Sequence, residues 1–295
     1  MLESKRYQTA DRKKPGEGRK MQKVIYMQQI QEYCEYIDQS VIDYINDGQI
    51  ETFESFDTYD FIAFDWYDLK NLSAPPAQII IYLDADDIFY ICENGTSYEV
   101  AKRLFSHGET NEQALYLFFC NLFKGSTAHL EALENKIAEL DDDVSSRIRD
   151  GQKEKITSMR YEILKLRRYY DQLETIFECI CDNDNELVSE RSLRYFEILK
   201  SRSVKLVSQL TSLREYIMQV RESYQAQIGI EQNELMKVFT MVTSIFLPLT
   251  LIAGWYGMNV QMPEFGWKYG YPFVAGLSAV VCIVWLIVFK KKKWL

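Results

Sequence analysis

Two long uncharged stretches near the C-terminus constrain this chain more than any other feature. Val238–Pro263 and Tyr269–Phe289 contain no Asp, Glu, Lys or Arg. Each exceeds the roughly 20 residues that a helix needs to cross the hydrocarbon core of a bilayer. The link between them carries Lys268, whereas Lys237 precedes the first stretch and a lysine run, 290–293, follows the second. This distribution predicts two transmembrane helices with both termini in the cytoplasm.

The remainder of the chain is acidic. Residues 232–295 carry six Lys and two Glu, which gives them a net charge of +4. Because the whole chain has a net charge of −9, residues 1–231 must carry −13. This argues against nucleic acid as a partner, since nucleic-acid binding favours clustered Lys and Arg on the soluble part. The cysteines are scattered, which predicts reduced thiols in a cytosolic compartment. Without a phosphate-binding glycine loop, metalloprotease histidine pair or nucleophile elbow, we expect neither an enzyme nor an organic cofactor.

In the first 127 residues, the sequence predicts a disordered N-terminal tail followed by one folded domain. Residues 1–22 are basic and polar and predict a disordered tail. Residues 23–127 predict a cytosolic α/β domain, since two apolar runs have the composition of strands. The strands are expected at 78–83 and 87–92, with helical spacing in flanking segments such as 29–46 and 98–106.

The middle of the chain predicts long helices. Residues 128–186 are highly charged, contain no Pro and have Gly151 as their one Gly, which predicts an antiparallel helix pair turning there. Residues 187–257 predict a stalk helix of about 100 Å that runs into the first transmembrane span. Its apolar positions recur every three or four residues, as in a helix that packs on a neighbour. These positions are Leu206, Leu210, Leu213, Ile217, Val220, Tyr224 and Ile228.

The expected fold class is therefore an α+β membrane protein. Its N-terminal α/β domain precedes a long helical stalk that continues into the first of two C-terminal transmembrane helices. The last segments are an outer loop at 258–268, a second transmembrane helix at 269–289 and a cytosolic Lys-rich tail at 290–295.

Small and hydroxylated residues form a stripe along the first transmembrane segment. They recur at steps of three and four, whereas the other positions are mostly Val, Ile, Leu and Phe. Two spans cannot enclose a path, so a pore would need several copies of the chain. The stripe fits a pore lining and helix–helix packing equally well. It consists of Met236, Thr240, Thr243, Leu247, Thr250, Gly254 and Gly257.

The same region resembles the CorA family of magnesium transporters. The resemblance rests on Asn233–Lys237 and Thr243–Asn259, which ends in the Gly-Met-Asn motif of the family, here Gly257, Met258 and Asn259. It implies a funnel-shaped homopentamer in the plasma membrane that admits Mg²⁺, with Co²⁺ and Ni²⁺ sometimes accepted. The partners implied are further copies of the chain, the lipid bilayer and divalent cations.

The resemblance also assigns roles within the transmembrane region. It implies a ring of Asn259 at the pore mouth, hydrophobic constrictions at Leu247 and Phe239, and a pore lined from Asn233 through Met236, Thr240, Thr243 and Thr250 to Gly254. Mg²⁺ gives up its six waters reluctantly, and neutral amide oxygens accept hydrogen bonds from those waters without stripping them. Glu264 in the outer loop is a candidate for attracting cations.

One regulatory position departs from the family pattern. Family members carry a sensing Asp just after a Tyr-Phe pair, whereas Tyr195-Phe196 is followed here by Glu197-Ile198. The position of the acid falls on Ile198, and Glu197 points about 100° away on a helix. Glu222 matches a further acid lower in the stalk. Glu197 and Glu222 are therefore the candidates for a regulatory Mg²⁺, and feedback through them is in question.

Two alternatives stay open from the sequence. A zinc- or efflux-type transporter of the same superfamily would share the two-span pentamer, although zinc favours soft ligands and the stripe has no Cys or His. A non-conducting membrane-anchored coiled-coil scaffold would use the stalk as its working part. The sequence does not decide the preferred ion among Mg²⁺, Co²⁺, Ni²⁺ and Zn²⁺, or the direction of flux.

Overall fold

The computed structural model of the chain describes residues 20–37, 39–47, 52–258 and 266–292. The expectations for residues 1–19, Asn259 and Glu264 lie outside this part. Two compact units form, one from residues 1–140 and 151–220 and the other from 141–150 and 221–295. The strands are β1 Gln22–Tyr26, β2 Phe53–Ser55, β3 Tyr59–Trp66, β4 Ala77–Asp84 and β5 Ile88–Cys92. The helices are a 3-10 helix Met27–Tyr33, α1 Gln39–Asp47, α2 Gly95–Leu104, α3 Asn111–Leu122, α4 Ser126–Ser146, α5 Gln152–Asp182, α6 Glu190–Tyr256 and α7 Gly270–Lys291.

The first unit is built on a five-stranded mixed sheet with the order β1-β5-β4-β3-β2. β1 pairs in parallel with β5, and the other neighbours are antiparallel. The two predicted strands are confirmed as β4 and β5, whereas β1, β2 and β3 were not predicted. Gln22 is the first residue of β1, so its assignment to the disordered tail was wrong. Its side chain exchanges hydrogen bonds with the backbone of Gly108, at 3.0 and 3.1 Å.

Both faces of the sheet are covered, which explains why β4 and β5 are almost continuously apolar. On one face, Phe61 and Phe89 share a core with Ile30 of the 3-10 helix and Ile42 of α1. On the other face, the ring of Phe64 lies 6.3 Å from that of Phe118 in α3. The ring of Tyr90 lies 4.6 Å from the same Phe118. The unit is thus a three-layer α/β domain with a substantial core.

Polar contacts attach α5 and the segment after it to the sheet. Gln172 of α5 accepts a hydrogen bond from the N–H of Asp65 and donates one to its carbonyl, at 3.1 and 2.7 Å. Asn185, which follows α5, donates to the buried carboxylate of Asp60 at 2.7 Å. Ser55 donates to the same oxygen at 2.8 Å. Burial raises the pKa of Asp60 above its usual value, and the hydrogen bonds from Ser55 and Asn185 partly oppose this shift.

After residue 125 the described chain is mainly helical. α4 and α5 are connected through Gly151, whose φ of 87° lies in the left-handed region that glycine adopts without strain. On α6, the predicted seam is buried from Leu206 to Val220, whereas Tyr224 and Ile228 are half-buried. Burial along the seam therefore decreases where the first unit ends, at Val220.

The second unit contains the two apolar helical segments. α6 continues without interruption through Pro248 to Tyr256. α7 ends at Lys291, two residues beyond the predicted end of the second span at Phe289. Among the described residues, these two helices are long and apolar enough to cross a membrane.

Candidate functional site

The predicted stripe lies on one side of α6. At about 100° per residue, its helical members up to Gly254 and the other pore-lining candidates, Asn233 and Phe239, fall within an arc of about 120°. All of them are exposed in the single chain. The largest side chains are the most prominent, with Met236 61%, Phe239 65% and Leu247 71% exposed. The structure therefore places Asn233, Met236, Phe239, Thr240, Thr243, Leu247, Thr250 and Gly254 together on one uncovered surface.

The other side of α6 is partly covered. Its half-buried positions lie roughly opposite the stripe, and they include Ile245, Leu249 and Ile252. α7 has half-buried positions at intervals of three or four residues, such as Val274, Ser278 and Val281. Each apolar helix thus has one partly buried face, and the stripe lies within the wider surface of α6 that the chain itself leaves open.

The hydroxyl groups of the three threonines in the stripe all donate hydrogen bonds to the backbone of their own helix. Thr240 donates to the carbonyl of Met236, Thr243 to that of Phe239 and Thr250 to that of Phe246, each at 2.8 Å. A hydroxyl that donates to its own helix retains lone pairs on its oxygen. Each threonine therefore presents a neutral hydrogen-bond acceptor on the stripe.

Two positions near the end of α6 are occupied by glycine, and the space around them differs. A Cβ at Gly257 would lie 2.8 Å from the carbonyl oxygen of Ala253, so the close backbone approach after the last turn requires glycine. A Cβ at Gly254 would meet nothing within 4 Å. Glycine costs about 1 kcal/mol relative to alanine inside a helix. No close contact within the described chain therefore accounts for glycine at position 254.

Charged residues are absent from the stripe but occur beside its N-terminal end. Lys237 donates to Glu234 at 3.1 Å, one helical turn apart. A surface depression of about 430 Å³ is lined there by Asn233, Glu234, Met236, Lys237 and neighbouring residues. Because the ion pair offsets its own charges, this end of the stripe carries no net charge from these two residues.

Among the residues that the structure describes, the candidate regulatory acids are not grouped with other metal-binding side chains. Glu197 and Glu222 are both exposed, and Ile198 is 60% exposed. Phe196 is fully buried, and the ring of Tyr195 lies 5.2 Å from that of Tyr116. In the described part of the chain, no group of three or more His, Cys, Asp or Glu side chains is arranged to hold a metal ion.

Sequence reasoning missed one polar cluster in the first unit. His129 of α4 lies 3.1 Å from the carboxylate of Glu162 of α5, beside a depression that also contains lysines. These residues are far apart in the sequence and belong to no motif. Only the pairing of α4 with α5 brings them together.

Comparison with known proteins decides the family. The family model for the CorA-like Mg²⁺ transporter protein matches residues 27–291. The chain belongs to this family. The cobalt/magnesium transport protein CorA of Thermotoga maritima is 29% identical over 167 residues, covering 56% of this chain and 48% of the relative. The putative metal ion transporter YfjQ of Bacillus subtilis is 32% identical over 163 residues, covering 55% of this chain and 51% of the relative. The chain spans about half the length of these curated relatives.

A solved structure extends the similarity over nearly the whole chain. The CorA magnesium transporter of Methanocaldococcus jannaschii superposes with a TM-score of 0.77, covering 93% of this chain and 91% of that protein. At 18% sequence identity the superposition establishes the fold. The predicted fold class is therefore confirmed: an α/β domain, a long helix and two C-terminal apolar helices of a CorA-like protein.

Proposed function

We propose that this chain is a divalent-cation channel that assembles as a homopentamer and admits hydrated Mg²⁺, and also Co²⁺ and Ni²⁺, across the plasma membrane. The single observation that carries the proposal is the open stripe of α6, which ends at Gly257 and Met258 of the family motif. In the assembly the stripes of five copies face a common axis, and both termini lie in the cytoplasm.

The chemistry of the stripe supports passage of an ion that keeps its water. Mg²⁺ prefers six oxygen ligands in near-ideal octahedral geometry and loses its waters reluctantly. Thr240, Thr243 and Thr250 present neutral acceptors to those waters, because their protons are donated to the helix. A neutral lining also avoids a deep binding well, and conduction requires the ion to leave as well as to enter.

Two large apolar side chains on the same side of α6 as the stripe fit a gate. Phe239 and Leu247 project from the same surface and are 65% and 71% exposed in the single chain. Rings of such side chains form narrow apolar constrictions that close a pore by excluding water. We assign them this role, and we assign selectivity to the Gly257, Met258 and Asn259 motif, with Glu264 attracting cations to the mouth.

The proposal assigns no regulatory ion to Glu197 or Glu222. Both are exposed, and the family's acid position is occupied by Ile198. Among the described residues of a single chain, neither acid has the neighbouring carboxylates that would help to hold Mg²⁺. Glu197→Gln is expected to leave the internal Mg²⁺ concentration for half-inhibition within a factor of about two, since isolated exposed charges contribute little.

The deciding experiment is uptake of Mg²⁺ into proteoliposomes with an inside-negative potential. Wild type should take up Mg²⁺, and Asn259→Ala should lose uptake while retaining the wild-type oligomer in gel filtration. Gln261→Ala, two positions away, serves as the matched control and should conduct. Absence of wild-type uptake of Mg²⁺, Co²⁺ and Ni²⁺ would refute the proposal. Uptake of Zn²⁺ alone would favour the zinc-type transporter, and no flux of any cation would favour the scaffold.

A further inference from the structure

A basic depression of about 300 Å³ lies on the first unit, between the β3–β4 connection and helices α4 and α5. Its walls come from three separate parts of the sequence. The connection contributes Lys70, α4 contributes His129 and Lys136, and α5 contributes Tyr161, Glu162 and Lys165. The channel function proposed above uses none of these residues.

The depression concentrates positive charge in an acidic region. Its lining holds three lysines and one carboxylate, Glu162. One oxygen of that carboxylate lies within hydrogen-bonding distance, 3.1 Å, of Nε2 of His129. Residues 1–231 as a whole carry −13. A concave surface lined mainly by one sign of charge focuses the electrostatic field and raises the local concentration of counter-ions.

The site is held in shape by the protein. Nζ of Lys165 donates to the carbonyl of Leu72 at 2.6 Å and joins α5 to the β3–β4 connection. The connection is ordered further by hydrogen bonds from the N–H of Lys70 to the Asp68 carboxylate and from the N–H of Asn71 to the Asp68 carbonyl, each at 3.0 Å. Lys70 therefore belongs to a hydrogen-bonded turn, and it lines the depression beside the helix pair.

We propose that this depression binds a small anion that carries a chain of phosphate groups. Lysine ammonium groups bind phosphate oxygens as point charges, and the polar residues Ser73, Ser158 and Asn71 line the same surface. The volume lies at the lower end of the range for small-molecule sites, about 300–1,000 Å³. Tyr161 lines the depression with 65% of its surface exposed, which leaves a ring face on which a nucleobase can stack.

Calorimetry with two ligands tests the proposal and identifies the source of the phosphate. The full chain, purified in detergent with EDTA to remove divalent cations, is titrated with sodium triphosphate and with ATP. Both ligands should bind, and raising NaCl from about 50 to 500 mM should weaken both, since the recognition is electrostatic. Tyr161→Ala should weaken ATP several-fold and leave triphosphate unchanged. If Tyr161→Ala instead leaves the affinity for both ligands unchanged, the phosphate chain alone is recognised.

Charge reversal provides the matched comparison. Lys70 and Lys136 are exposed, so the double variant Lys70→Glu/Lys136→Glu should fold, as circular dichroism and gel filtration would check. Its affinity for both ligands should fall at least about tenfold per lysine, because each loses a charge-assisted contact. The control is Lys124→Glu/Lys155→Glu, which reverses two exposed lysines outside the depression. No binding by wild type at millimolar ligand, or equal affinities in the two double variants, would overturn the proposal.

Discussion

Replacing Asn185 by alanine tests how the segment between α5 and α6 is fixed to the sheet. The side-chain amide of Asn185 donates to the Asp60 carboxylate at 2.7 Å and to the carbonyl of Phe56 at 3.0 Å. Asp60 is only 4% exposed, and its carboxylate also accepts a 2.8 Å hydrogen bond from Ser55. A hydrogen bond to a charged group contributes about 1.5–3 kcal/mol. We expect Asn185→Ala to lower the free energy of unfolding by about 2 kcal/mol at pH 7.

The penalty should depend on pH with a definite sign. Burial raises the pKa of Asp60, and the Asn185 amide opposes that rise, so the variant's folded-state pKa is higher still. A carboxyl whose folded pKa exceeds the unfolded value, about 4, favours folding when protonated. That contribution is complete below the unfolded pKa and is lost as pH rises through the folded pKa. The penalty of Asn185→Ala should therefore shrink as pH falls from 7 toward 4.

Thermal unfolding in detergent measures both effects. For a unit of about 200 residues, 2 kcal/mol corresponds to a fall in Tm of about 4–8 °C. In an Asp60→Asn background the same change should cost about 1 kcal/mol or less, because the charged acceptor is gone. A fall in Tm below about 1 °C at pH 7, or a penalty that is unchanged at pH 4, would refute this account of the contact.

Two further substitutions follow from close contacts. Gly257→Ala should reduce Mg²⁺ uptake at least about tenfold, because its Cβ would lie 2.8 Å from the Ala253 carbonyl and displace the motif. Gly266→Ala, where nothing lies within 4 Å, should leave uptake unchanged, and equal uptake by both variants would contradict the steric argument. Gln172→Ala removes two hydrogen bonds to the Asp65 backbone and should lower Tm by about 2–6 °C in thermal unfolding. An unchanged Tm would show that α5 is held to β3 by apolar packing alone.

The strands show which part of the fold the sequence could predict. β4 and β5 are continuous apolar runs buried on both faces, so their composition identifies them. β3 was missed because Asp60 and Asp65 interrupt its apolar pattern. The charge of Asp60 is tolerated through Asn185, 125 positions later, and no local pattern contains that contact. β1 is short and pairs with β5, 66 positions away, so its pairing is equally non-local.

The same distinction between local and non-local contacts applies to the two sites. The stripe of α6 follows from helical periodicity, because its members from Met236 to Gly254 lie on one continuous helix. The basic depression could not be predicted, since Lys70, Lys136 and Lys165 belong to a loop and two different helices. Its residues become neighbours only when the connection after β3 meets α4 and α5.

The most direct test of the central claim is whether the stripe faces the ion path. In a background without native cysteines, Thr250→Cys places a thiol on the stripe, and Ile252→Cys places one at similar depth on the partly covered side of α6. A cationic methanethiosulfonate reagent is added from outside during Mg²⁺ uptake. The account predicts that Thr250→Cys loses uptake on treatment while Ile252→Cys retains it. Block of Ile252→Cys with Thr250→Cys unaffected would contradict the assignment of the pore to this face of α6.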